Sequence, residues 1–507
     1  MPRNTVLKKY HGGVAGGISQ VTRDLFRTMF LGDRSLATAG LALPIGADGP
    51  LTIRMHMAGI LADEEALNNI WFIKGASGVC PCAVLCSVTN KQRPEDVDAG
   101  LRALTDIDGD IKDISCPDIT LCGPRSNQAI WNMADQVKAA LKKERITLEH
   151  CTGLKYAENT LLFDIPLRTY VHPATHTVLD AMHVLFSNGI LNSEIMLFME
   201  VMQHDVGAYF GDVRQFAAGK GWRPTKALDA ISEVRERSSH EMLKAGASEV
   251  LAVYPLLRAF VVGAYGATAT EPHVKSLLLL CQICDIIRIA MRDGNAEEAA
   301  HTLRDLSHRY LLAFVEAYGR DKIRFKHHQL LHLPQSMARL KRLLTCFVTE
   351  RKHIMAKLAM QHVKDPSVAS DHGMSRMLNG QILALEAPGW LSVLSGSPKP
   401  FPEMALSLGA QRMDVSRSMR WNGISLTSNE VIFLDRQHTY LVIVVCCSQI
   451  DDSFGLLVRT CTRVSGTDTA SCWHVDPDAS VHRLTNECVF KVAFHRYVSS
   501  DTLEILL

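Results

Sequence analysis

The chain has 507 residues, 47% of them hydrophobic and 21% charged, a globular balance that excludes large-scale disorder and exceeds what one hydrophobic core normally organises. A formal net charge of +1 excludes global attraction to nucleic acid or membrane, so any such surface must be a local patch. The fourteen cysteines lack the dense spacing of a small secreted scaffold, and the first residues lack the apolar core of a signal peptide; both point to an intracellular protein of nucleus or cytoplasm with reduced thiols.

In chain order, Ile18, Val21, Leu25, Phe26 and Met29 recur at helical spacing after the glycines of 12–17. The apolar runs 36–45 and 51–61 flank Gly46-Ala-Asp-Gly-Pro50, whose Asp-Gly step is a hairpin signal because glycine supplies the positive φ of the turn. Asp63 stands at an N-cap position ahead of a helix over 64–72. A polar stretch over 96–118 precedes an amphipathic helix over 128–143. Residues 150–180 read as irregular and end in the apolar run Thr177-Val-Leu-Asp180.

Helical periodicity then dominates 192–320. The most apolar stretch, 277–291, carries Gln282, Asp285 and Arg288, which favours a buried helix over a membrane span and makes Cys281 and Cys284 core residues. A basic helical segment covers 334–363. Beyond 398–402 the pattern changes to short β-rich runs, predicting a small separate β module. The expected division is 1–191, 192–320, 321–397 and 398–507.

Four features could carry chemistry. Asp180 closes an apolar run, which places a carboxylate at a strand end or makes it a capping residue. Glu350 is the single acid between Lys322 and Lys364, fitting either a cation ligand beside a polyanion or a local salt bridge. Cys80, Cys82 and Cys86 fall within seven residues; Cys116 and Cys122 could complete a tetrahedral zinc site, and buried free thiols are the equal alternative. His328 and His332 have the i,i+4 spacing of a zinc helix, but Gln329 replaces the glutamate of a metalloprotease, so packing or phosphate contact is preferred.

Four ordered stretches carry a resemblance: Ile60-Leu-Ala-Asp-Glu-Glu-Ala-Leu67; Lys74-Gly-Ala-Ser-Gly-Val-Cys-Pro-Cys82 through Cys86; Leu179-Asp-Ala-Met-His183 with Asn188-Gly-Ile190; and His328-Gln-Leu-Leu-His-Leu-Pro334 leading to Phe347-Val-Thr-Glu-Arg-Lys-His353. Together they resemble transposases of the Kyakuja–Dileera–Zisupton and Plavaka kind. The resemblance implies an α/β, RNase H-like core interrupted by a large helical insertion, ahead of the small β module read from the pattern beyond 398–402. It makes Asp180 the second metal-binding acid and Glu350 the third. The first acid is expected on a strand upstream of the matched region, with Asp63 the nearest substitute, so the catalytic site is expected to be incomplete. Acids in such a site would hold Mg²⁺, the cysteines suit zinc, and the cations Arg342, Arg351, Lys352, His353 and Lys357 would hold DNA through its phosphates. The rival expectation is a non-enzymatic helical scaffold with a β-rich tail.

Overall fold

A computed structural model describes residues 16–43, 51–90, 111–219 and 242–347 with a few short omissions, residues 228, 229 and 231, and the strand segments between 392 and 506. It is a mixed helical and β structure that divides into two compact units. One comprises 1–205, 234–251 and 265–346; the other comprises 206–233, 252–264 and 347–507.

The first unit begins with α1 (Gly17–Phe30). The expected helix is present, but its buried face carries Phe26 and Phe30, while Val21 and Leu25 are exposed. β1 (Leu41–Leu43) pairs antiparallel with β2 (Leu51–Ile53), the hairpin expected from the Asp-Gly step. β3 (Ile60–Ala62) leads through Asp63 into α2 (Glu64–Trp71). The Asp63 carboxylate accepts from Ala66 N at 2.7 Å, satisfying one of the orphan amides of the first turn. Leu67 and Trp71 from this helix are fully buried.

The helix expected over 128–143 is two helices, α3 (Asn127–Ala139) and α4 (Lys142–Thr152), because Ala140 and Leu141 turn extended. Arg145 from α4 donates to the carbonyls of Val137, Lys138 and Ala140, ending α3 with a cationic cap. α4 closes on Gly153 at φ +76°, and a Cβ there would lie 2.5 Å from the Cys80 carbonyl oxygen. Gly153→Ala is therefore expected to cost about 2 kcal/mol or more from strain and the displaced cysteine segment together. Chemical denaturation of the variant checks this; a change within about 0.5 kcal/mol would mean that the segment yields freely.

β4 (Thr177–Leu179) pairs parallel with β3 in the register Ala62↔Leu179. A short α5 (Ala181–Leu185) follows, then the buried α6 (Ile190–Val201). The long α9 (Pro272–Asp293) and α10 (Ala296–Tyr318) pack together after α7 (Val206–Gly219) and α8 (Ala247–Tyr265), as the helical block over 192–320 required. Cys281 and Cys284 are buried in α9. α11 (Phe325–Leu330) and α12 (Leu333–Leu340) complete the described part of this unit. Among the described residues, two helical stretches are long and apolar enough to cross a membrane, 181–201 and 247–265; 72% and 50% of an 18-residue apolar window in each is buried in the fold. That degree of burial fits packed core helices.

An extended RNase H-like sheet is not among the described elements of this unit, whose strands form two separate two-stranded pairs. In the second unit nine of the described strands between 399 and 506 form one antiparallel sheet, within which Thr439–Ser448 also pairs with Phe454–Gly466. Three further strands, Ser392–Ser395, Ser418–Trp421 and Ile424–Thr427, pair among themselves.

Candidate metal centre and adjoining cleft

The loop over 80–90 is pinned at several points. Asn90 N donates to Val79 O at 2.9 Å, Ser87 N to Gly123 O at 3.0 Å, and Arg125 Nε to Ser87 Oγ at 2.9 Å. This closure turns two cysteines of the loop toward the junction of α11 and α12. There Cys82, Cys86, His328 and His332 bring their donor atoms within 4.8 Å of one another, and all four residues are buried.

The spacing suits a tetrahedral ion. Zinc at ~2.3 Å from sulfur and ~2.0–2.1 Å from nitrogen holds S···N pairs roughly 3.6 Å apart and N···N pairs roughly 3.3 Å apart. Here Cys82 Sγ lies 3.4 Å from His332 Nε2, and Cys86 Sγ lies 3.2 Å from His328 Nε2 and 3.8 Å from His332 Nε2. The two imidazole nitrogens are 3.1 Å apart. On its far side the His332 ring meets Gln335 Oε1 at 3.1 Å through Nδ1, which leaves the Nε2 lone pair facing the sulfurs.

Electrostatics favour ligand protonation states. Burial works to raise the Cys82 thiol, but the Cys86 hydrogen bond, the His332 charge and the bonds to both imidazoles hold it well below the usual thiol range. Burial and then the bond and charge of Cys82 push Cys86 up. Burial lowers His328, whereas Cys82 raises His332 against the effect of burial. The four groups thus share protons, and a divalent cation would displace them and relieve the buried charge.

The remaining cysteines of the expected zinc set are not in this group. Cys80 donates to Cys151 O at 3.2 Å within a small core of Val79, Ile111 and Cys151. Cys116 and Cys122 sit together over the Asp118 carbonyl. The donors that join Cys82 and Cys86 in a group able to hold a metal are instead His328 and His332. The signal available in the sequence was the match of Cys-x₃-Cys with His-x₃-His.

The two expected acids that fall on described residues lie on the ends of neighbouring parallel strands. Asp63 and Asp180 directly follow the paired residues Ala62 and Leu179. Both line a cleft of about 590 Å³ together with Glu64, Asn68, His183, Lys326 and Gln329. Lys326 Nζ donates to the carbonyls of His183, Ser187 and Asn188 at 2.7–3.0 Å. Burial lowers its pKa, and the charges of Glu64, Asp63 and Asp180 oppose that. Burial raises Glu64 against the charge of Lys326.

Asp180 is fully engaged. One oxygen accepts from Met182 N at 3.1 Å and Cys346 N at 2.9 Å; the other pairs with His183 Nδ1, and the side chain is 0% exposed. It caps α5 as Asp63 caps α2. Asp180, His183 and Cys346 form a second group of potential metal donors, but its carboxylate already has these partners. Among the described residues no trio of carboxylates gathers to hold Mg²⁺. Arg342 is exposed beyond α12. Glu350, Arg351, Lys352, His353 and Lys357 lie outside the described residues.

α11 connects the two features. His328 faces the sulfur pair, while Lys326 and Gln329 from the same helix line the cleft. An ion at the Cys₂His₂ group would fix the helix that presents those side chains. No protein-family model matches the sequence, and no curated protein is significantly similar to it.

Proposed function

We propose that the chain is a transposase-derived intracellular protein with an RNase H-like core, organised by structural zinc and retaining DNA affinity without strand-transfer activity. The observation that carries the metal assignment is the buried Cys82–Cys86–His328–His332 group, whose donor set and spacing suit zinc and leave no open coordination position. Zinc there ties the cysteine loop to the α11–α12 junction and so supports the cleft wall.

The transposase part is supported by Asp63 and Asp180, which follow adjacent parallel strands and line one cleft, an arrangement in keeping with paired acids of phosphoryl-transfer sites. The inactive part is supported by the bonding of those acids. Mg²⁺ demands direct, near-octahedral oxygen contacts. Both aspartates serve as helix caps, and Asp180 spends its oxygens on two amides and an imidazole. Arg342, Arg351, Lys352, His353 and Lys357 are assigned the phosphate contacts, which act through charge and carry no sequence information.

Incubation of the full chain with supercoiled plasmid and radiolabelled duplex, with and without Mg²⁺, tests this. The expected result is salt-sensitive, sequence-independent binding with no nicking, and weaker binding after joint replacement of Arg351, Lys352 and Lys357 by Ala. Mg²⁺-dependent nicking abolished by Asp180→Ala would reverse the inactive assignment and make Asp63 the leading further ligand. Absence of binding even at low salt would remove the DNA role and favour the scaffold reading.

A further inference from the structure

A second cysteine pair stands apart from the Cys₂His₂ group. Cys116 and Cys122 flank the single turn Ile119–Leu121, and their sulfurs lie 3.4 and 3.3 Å from the same oxygen, Asp118 O. Sharing that oxygen keeps the two sulfurs within about 6.7 Å of each other. Cys122 is buried and Cys116 is half-buried, lining a cleft of about 830 Å³ with Lys112 and Arg320. The surrounding loop is held to α10 and its C-terminal extension. Arg320 pairs with Asp113 and donates to Ser115 Oγ, and His308 Nδ1 meets Pro117 O at 3.2 Å. One sulfur therefore has a route to a small reagent, and the other waits behind it on a short, anchored turn.

We propose that Cys116 and Cys122 are a redox pair in which a hydroperoxide oxidises Cys116 and Cys122 resolves the product to an intramolecular disulfide. In the first step the Cys116 thiolate attacks the terminal peroxide oxygen. The O–O bond breaks, an S–O bond forms, and the leaving alkoxide or hydroxide takes a proton to become alcohol or water. In the second step Cys122 sulfur attacks Cys116 sulfur, the sulfenic oxygen leaves as water carrying the Cys122 proton, and the S–S bond forms. The two thiols lose two electrons and the peroxide gains them.

Electrostatics agree with this division of roles. The hydrogen bond with Cys122 brings the Cys116 thiol down to about 6, against burial. The same bond and then burial push Cys122 up, so it keeps its proton until the second step. The product disulfide would lock the Pro117–Leu121 turn against α10.

The test uses the full chain, reduced, zinc-loaded and treated with one equivalent of hydrogen peroxide, followed by peptide mapping. The expected product is a Cys116–Cys122 disulfide with a loss of two hydrogens and unchanged zinc content. Cys122→Ser should accumulate a Cys116 sulfenic acid that dimedone traps; Cys116→Ser should give neither product. Iodoacetamide labelling of the unsubstituted chain supplies a reading free of folding effects, with Cys116 modified half-maximally near pH 6. Oxidation elsewhere with 116 and 122 unlinked would overturn the proposal. So would a bond to Cys82 or Cys86 with zinc release, or a Cys116 labelled no faster than the other thiols.

Discussion

Stripping zinc with a strong chelator is expected to lower the stability of the first unit by several kcal/mol, the largest effect foreseen for this chain. Structural zinc binds zinc-finger peptides with apparent free energies on the order of 10 kcal/mol, much of which appears as folding energy. The fraction realised here is smaller, because the unit also has an apolar core that includes Leu67, Trp71, Ile130, Phe186 and Phe198. What the ion adds is relief of a buried conflict. Without it, two thiols and two imidazoles that share protons are held at sites that are 0–3% exposed. Cys86→Ser and His332→Ala should each reproduce the chelated state and become insensitive to added zinc. Cys116→Ser should retain the zinc response. Thermal unfolding followed by circular dichroism, with and without zinc, reads all three. Equal melting curves for the chelated and loaded chain would mean that the group is only a hydrogen-bonded core.

The second large effect is a pH dependence from Glu194. This carboxylate is fully buried on α6, where Oε1 accepts from Ser276 Oγ of α9 and Oε2 from Tyr310 Oη of α10, both at 2.7 Å. Burial raises its pKa to about 7 from 4.5, against the pull of the two hydrogen bonds. The folded state therefore holds the proton more tightly than the unfolded state. The contribution is fully present below about 4.5 and fades as pH rises through about 7. Across that window the loss is on the order of 3 kcal/mol, because holding a proton over one further pH unit is worth about 1.4 kcal/mol. Glu194→Gln keeps a neutral, hydrogen-bonding side chain and should flatten this part of the profile, so the variant gains on the unsubstituted chain as pH rises. Urea denaturation at pH 5, 6.5 and 8 measures it; parallel profiles for the two proteins would show that Glu194 ionises without cost.

Local features were legible in the sequence because their causes are local. The Asp63 cap, the hairpin across Asp-Gly, the strand before Asp180 and the buried α9 all rest on a few consecutive side chains. The break at Ala140 was not legible: no glycine or proline marks it, and Arg145 ends the helix from the next one. The metal group was half legible. The density of Cys82 and Cys86 was visible, but their partners are 242–250 residues away, with a helical block between. Loop-closure entropy grows only slowly with length, so sequence distance gave no physical reason to prefer the nearer Cys80, Cys116 and Cys122. His328 and His332 were weighed as a catalytic helix, a reading that the missing glutamate disfavoured, although a structural site needs no general base. Asp180 could be placed at a strand end and Asp63 at a helix start, but their adjacency depends on a parallel pairing that one sequence does not specify.

X-ray absorption at the zinc edge on the intact, purified chain tests the central assignment most directly. The expected spectrum is one zinc per chain with two sulfurs at ~2.3 Å and two nitrogens at ~2.0–2.1 Å. Cys86→Ser and His328→Ala should each lose the stoichiometric zinc signal. A stoichiometric zinc with three or four sulfurs, retained in the histidine variants and lost when Cys80, Cys116 or Cys122 is replaced, would contradict the Cys82–Cys86–His328–His332 centre. So would a folded chain that binds no metal at all.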